Sequence, residues 1–179
     1  MASVQWRVNY IGYTSYWSGS TKCKVITWAM VCHDLRRVID DAGIPLGGSD
    51  GSGLPVINEH EICFNGQGDD DSHEAFHVGR NTVHSDFCKT ERKPYDLIVC
   101  CALMILREYI PTLVVASDGD AEDWADAVAL CRRVLEYGVY PCDGAVDTPE
   151  AVVHAHESPK TVQPVADVIE IHRARITEL

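Results

Sequence analysis

The stretch Leu97-Ile-Val-Cys-Cys-Ala-Leu-Met-Ile-Leu106 constrains this chain most, because ten consecutive apolar residues leave no helical face for water. A helix that is apolar all round is stable only when other elements cover every side of it. The run is therefore expected to form a central buried helix over 94–110, with everything else packed on it. Pro94 suits the first turn, where its missing N–H costs nothing, Asp96 complements the positive end of the helix dipole, and Pro111 ends the helix. Ten residues is about half of what crosses a bilayer, so the run reads as protein core and no membrane segment is expected.

The elements around that hub follow from periodicity. Val4 to Tyr13 is β-branched and aromatic, which suits a strand. Thr14 to Thr21 reads as a polar, Gly-containing turn that caps a helix starting near Ser20 or Thr21, whose stripe Val25, Trp28, Cys32, Leu35 and Ile39 ends at Gly43. Ile44 to Asn58, with its glycines and prolines, reads as a long loop. Glu61–Gly66 and Glu74–Arg80 read as short strands, paired antiparallel across the acidic turn Gln67 to His73. Asn81 to Lys93 looks irregular. Thr112 to Ala116 reads as a strand buried on both faces, central in its sheet and joined to the hub helix through a right-handed crossover. Trp124, Ala127, Val128, Cys131, Val134 and Leu135 form the stripe of a further helix, stopped by Gly138. Beyond it Pro141, Pro149, Pro159 and Pro164 interrupt the chain, with short helices expected near Pro149 to His156 and Val165 to Arg175.

The expected fold is thus α/β: a single domain, a mixed sheet of about four strands and three main helices. Residues 1–138 carry the domain, and 139–179 form an irregular C-terminal extension packed on it. A length of 179 residues is enough for one core, and 46% hydrophobic with 23% charged residues is a globular composition.

The formal charge of −12, from 27 acidic and 15 basic residues, would repel a phosphate backbone, so no nucleic-acid partner is expected. The N-terminus Met-Ala-Ser-Val-Gln-Trp-Arg lacks a basic region, an apolar core and a cleavage site. A cytoplasmic location is expected. Four of the eight cysteines, Cys32, Cys100, Cys101 and Cys131, sit at apolar helical positions, where a free thiol behaves as a small hydrophobe.

Four clusters carry candidate chemistry. Asp69, Asp70, Asp71, His73, Glu74 and His77 offer carboxylates beside imidazoles, a donor set for a divalent metal ion; His73 and His77, at even spacing, would share a face of one strand. Asp118, Asp120, Glu122 and Asp123 follow a strand at its carboxyl end, where open α/β sheets place ligands, so Asp69, Asp71, His73, His77, Asp118 and Asp120 form the candidate metal set. Helix capping and turn chemistry explain the same acids without a metal. Lys89, Arg92 and Lys93 form a basic segment beside Cys88; these cations would lower the thiol pKa and make it a nucleophile with His77 or His84 as base, or would instead bind a phosphate or an acidic loop of the same chain and leave Cys88 in the core, the commoner outcome for a buried thiol. Ser18, Ser20, Thr21 and Lys22 precede a helix and are placed to receive an anion at its N-terminus, although neither phosphate-loop nor dinucleotide spacing is present.

Three strings, Phe64-Asn-Gly-Gln-Gly-Asp-Asp-Asp-Ser-His-Glu-Ala-Phe76, Asp86-Phe-Cys-Lys-Thr-Glu-Arg-Lys-Pro-Tyr-Asp96 and Ser117-Asp-Gly-Asp-Ala-Glu-Asp-Trp124, resemble a group of small hypothetical proteins of tailed bacteriophages. The resemblance spans roughly Tyr10 to Leu135. It implies a viral source and the cytoplasm of a bacterial host, and it carries no catalytic residues. The expected function is that of a small phage accessory protein that binds a host protein or a small anionic ligand such as a nucleotide. The alternatives are a metal-dependent hydrolase or transferase acting on a phosphate-containing or nucleoside substrate, and a virion component.

Overall fold

The computed structural model describes residues 13–142. The chain divides after Ala145 into two units, and the described residues all lie in the first. The strand expected before Tyr13 and the short helices expected beyond Pro149 lie outside the described residues. In chain order the elements are β1 (Thr14–Ser20), α1 (Val25–Ala42), β2 (Leu46–Gly47), β3 (Val56–Ile57), β4 (Glu61–Gly66), β5 (Phe76–Gly79), β6 (Val83–Lys89), α2 (Asp96–Tyr109), β7 (Val114–Ser117) and α3 (Ala125–Leu135). This is an α/β arrangement with three described helices.

The apolar run forms α2, and every residue from Ile98 to Leu106 is buried. Helices α1 and α3 and strands β1 and β7 pack against it. Each fully covered Leu or Ile there contributes about 1.5–3 kcal/mol. The stripe of α1 buries Trp28, Val31, Cys32, Leu35 and Val38, and Gly43 closes the helix in the left-handed conformation at φ 63°. Helix α3 buries Ala127, Leu130, Cys131 and Leu135; it ends at Glu136, itself left-handed at φ 65°, two residues before the expected stop at Gly138. Asp34 ties the three helices together: its Oδ2 accepts the hydroxyls of Tyr109, which ends α2, at 2.7 Å and of Tyr137, just beyond α3, at 2.8 Å.

The strands form two antiparallel sheets where one mixed sheet was expected. One has the order β6-β1-β7; in the other β4 pairs with β2, β3 and β5. The β4–β5 hairpin has the expected antiparallel pairing, with Ile62 opposite Val78 and Phe64 opposite Phe76, and the long loop before it contributes only the two-residue strands β2 and β3. Three expectations are corrected. Thr14–Ser20 is not a turn but the middle strand of its sheet, because Trp17 points into the core while Tyr16 points out. Val83–Lys89 is not irregular but pairs with β1 along its whole length. β7 is not a doubly buried central strand: it lies antiparallel beside β1, Val114 is exposed, and no crossover joins it to a parallel neighbour in a named strand. The parallel pairing among the described residues is a single bridge, Val115 to Cys142.

None of the eight cysteines is in a disulfide, and Cys32, Cys88, Cys100, Cys101 and Cys131 are buried. No described helix is long and apolar enough to cross a membrane.

Candidate functional site

The turn before β5 and the turn between β7 and α3 are separated in sequence, and the segment Cys88 to Asp96 contacts both. On one side it meets the turn before β5. Glu74 covers the end of β6, donating its N–H to the Lys89 carbonyl at 3.4 Å and accepting the Lys89 N–H on Oε2 at 2.8 Å. The Glu74 carbonyl accepts the Tyr95 hydroxyl at 2.7 Å and the Cys88 thiol at 3.2 Å. His73 donates from Nδ1 to the Lys89 carbonyl at 2.6 Å and turns Nε2 to Glu91 at 3.2 Å. Lys93 Nζ donates to the Asp70 carbonyl at 2.5 Å.

On its other side the segment meets the turn between β7 and α3. Arg92 pairs with Asp123 at 2.8 Å and lies over the Tyr13 ring, 5.1 Å from its centroid. The turn itself is wound by Asp120, whose Oδ1 accepts the N–H groups of Glu122 and Asp123. Gly119 is required against Tyr13, since a Cβ there would stand 2.1 Å from the ring. Between the two contacts, Glu91 and Arg92 both take left-handed backbone, at φ 51° and 58°. Two adjacent non-glycine residues in that region cost of order 1–3 kcal/mol each and persist only because the surroundings over-determine them. Here the fixing contacts are His73, Lys89, Asp123 and Tyr13.

Beneath this strap lies Asp96, in the first turn of α2. Thr90 donates its hydroxyl to Oδ1 at 2.5 Å. Burial raises the carboxyl to about 6, opposed by the Thr90 hydrogen bond and the Arg92 charge and assisted by Asp123. Burial also pushes the Tyr13 hydroxyl and the Cys100 thiol, which stand 3.7 Å apart, well up. A carboxyl held above the ordinary carboxylate range therefore sits beside two groups, Tyr13 and Cys100, whose ionisation burial also opposes.

The expected sites are largely dispersed. Ser18 and Ser20 belong to β1, and the buried Thr21 spends its hydroxyl on the Gly79 carbonyl and on Thr82. Lys22 is exposed, and α1 starts only at Val25, with no side-chain cap, so no anion cradle forms from these four residues. His73 precedes β5 and so shares no strand face with His77, which pairs instead with Glu61 at 2.9 Å. Asp69 and Asp71 are exposed on their turn, while Asp118 donates its N–H to the Thr14 carbonyl and takes the Tyr16 hydroxyl at 3.5 Å. Among the described residues no three His, Cys, Asp or Glu side chains come together to hold a metal ion. Cys88 is fully buried and its thiol is raised to about 12 by that burial, which matches the reading that leaves it in the core and not the one that makes it a nucleophile. The side chain of His84 lies outside what the structure describes.

Sequence reasoning missed Tyr13, Thr90 and the buried role of Asp96. Nothing local marks a carboxylate in a helix first turn as covered. It also missed the outer face of the β6-β1-β7 sheet, which an alternating pattern could have found. Register places Phe87, Tyr16 and Ala116 in one row of that face and Ser85, Ser18 and Val114 in the next. Tyr16, Val83, Phe87 and Val114 are 41%, 77%, 52% and 45% exposed. Tyr16, Phe87 and Val114 border a shallow depression of about 330 Å³ on that face. Comparison of this chain with protein-family models, curated proteins and solved structures finds no match.

Proposed function

We propose that the protein is a small accessory protein of a tailed bacteriophage that acts by binding, and that its partner is a protein of the bacterial host presenting apolar side chains within a basic surface. The phage assignment rests on the three resembling strings. The observation that carries the binding reading is the outer sheet face: the aromatic Tyr16 and Phe87 stand together with Val114 in water, on a sheet whose opposite face buries Trp17, Cys88 and Val115. Contiguous exposed apolar surface of this kind marks interaction sites. The charge of −12 supplies the complementarity, steering a basic partner and repelling an acidic one. Arg92 and Lys93, by contrast, are committed to Asp123 and Asp70, which leaves the small-anion reading without a described cradle. No specific observation favours the metal-dependent hydrolase or transferase, or the virion component.

The test is capture from host extract with wild-type protein beside Tyr16→Glu and Val114→Glu, followed by binding of the identified protein in purified form. The expected result is a basic host protein bound by wild type, lost by at least tenfold in both variants and weakened by salt. Equal capture by wild type and variants would remove this face from the function.

A further inference from the structure

The three-stranded sheet has two edges. At β7 the outward side carries the bridge from Val115 to Cys142. At β6 the outward groups can be assigned from their partners. The N–H and carbonyl of Lys89 both point away from β1, to Glu74, and the Phe87 N–H is held by the Asp86 carboxylate at 2.9 Å. Because backbone direction alternates along a strand, the groups of Val83 and Ser85 point the same way as those of Phe87. Among the described residues no backbone group pairs with these three on that side. The Val83 and Phe87 side chains, 77% and 52% exposed, stand beside this edge.

We propose that this edge binds a second copy of the chain, β6 against β6, antiparallel about a two-fold axis at Ser85. The spacing selects this occupant. Val83 and Phe87 lie equally far from Ser85 and on the same face, so the two-fold sets Val83 of each copy opposite Phe87 of the other, giving the same apolar cross-strand pair twice. Ser85 then faces its own counterpart, and Val83, Ser85 and Phe87 exchange about six backbone hydrogen bonds. The ends fit this register as well. Lys89, whose outward groups are occupied by Glu74, falls opposite residue 81 of the second copy, where the chain has already turned away with Asn81 at φ 66°. The result is one continuous sheet of both copies, with Tyr16 and Val114 still open on its outer face.

Asp86 sets the strength of the contact. Its carboxylate occupies the Phe87 N–H that the ladder needs, a charged guard of the sort that edge strands carry. It must release that N–H for the strands to pair, and two acidic chains repel, so the dimer strengthens as salt rises.

The experiment is sedimentation of the full chain over a concentration series at low and high salt, with three variants. Wild type is expected to show a monomer–dimer equilibrium shifted toward dimer by salt, and Asp86→Thr to shift it further. Ser85→Pro removes an outward N–H and leaves the pairing with β1 intact; it should be monomeric throughout with an unchanged melting temperature. Ser85→Cys should form a disulfide-linked dimer under mild oxidation, since directly opposed hydrogen-bonded residues stand about 5.5 Å apart between Cα atoms. Monomer at every concentration for both wild type and Asp86→Thr would overturn the proposal, as would a dimer indifferent to Ser85→Pro. These outcomes are separate from the partner test, whose variants lie on Tyr16 and Val114.

Discussion

The Tyr109 hydroxyl donates to Asp34 Oδ2 at 2.7 Å, fixing the last residue of the hub helix to the middle of α1. The same oxygen takes Tyr137 at 2.8 Å, and Arg37 stands 3.6 Å from the other. Asp34 is 6% exposed, so its removal leaves two largely covered hydroxyls unsatisfied. Asp34→Ala is expected to lower stability by about 2–4 kcal/mol in urea unfolding, and Asp34→Asn by less, since an amide oxygen still accepts. Tyr109→Phe and Tyr137→Phe should each cost about 1 kcal/mol.

Asp96 makes stability depend on pH in an unusual direction for a carboxylate. Its folded value of about 6 lies above the ordinary 3.8, so between those values the folded chain holds a proton that the unfolded chain has lost. Its contribution to stability is therefore full below about 3.8, falls as pH rises through 6, and is absent above it. Asp96→Asn keeps an acceptor for Thr90 and removes the ionisation. The variant should be more stable than wild type at pH 7, by about 1–2 kcal/mol, and the difference in melting temperature should vanish near pH 4. A wild-type-minus-variant difference independent of pH would contradict the assignment.

The architecture was legible where one residue type repeats at one period. The hub helix, the stripes of α1 and α3 and the β4–β5 hairpin each declare themselves through local hydrophobicity, because burial selects every residue on a face. The sheet around β1 did not. Thr14 to Ser20 carries one Thr, three Ser and a glycine, a composition that elsewhere makes turns, and only its far partners Val83–Lys89 and Val114–Ser117 make it a strand. The candidate site was half legible. The polar segment before α2 was visible as the one basic cluster, and its binding to an acidic loop of the same chain was an open alternative. That Arg92 would choose Asp123 and Lys93 the Asp70 carbonyl is decided by two left-handed residues, and Glu-Arg has no propensity for that conformation.

Thiol chemistry should follow cover, not charge. Cys88 lies among Lys and Arg in sequence yet is fully buried, with its thiol at about 12. Under native conditions at pH 8, alkylation followed by peptide mapping should label the half-buried Cys23, Cys63 and Cys142 first. Cys88, Cys100 and Cys101 should label only at the rate of unfolding. Rapid native labelling of Cys88 would revive it as a nucleophile.

Gly66 is the tightest glycine in the acidic hairpin. A Cβ there would stand 1.8 Å from the Asp71 carbonyl oxygen, which the turn brings back under the buried Asn65 amide. Backbone cannot yield as a side-chain tip can, so Gly66→Ala should destabilise by about 3 kcal/mol or more in chemical denaturation. Gly68→Ala, with nothing within 4 Å of its Cβ, should cost only the left-handed strain of about 1 kcal/mol.

The order β6-β1-β7 also governs how the chain comes together during synthesis. Ser15 pairs with Cys88 on one side and Ser117 on the other, so the middle strand is made first and flanked last. At about 5–20 residues per second, β1 waits on the order of ten seconds before both neighbours exist. Throughout that interval Tyr13 and Trp17, each 2% exposed once folded, stand uncovered beside two open backbone edges. The hairpin β4–β5 closes early on local contacts, whereas the sheet is assembled late and across long loops, at the entropic cost of distant pairing. The newborn chain is thus most vulnerable to aggregation, and most in need of a chaperone, between the synthesis of β1 and that of β7.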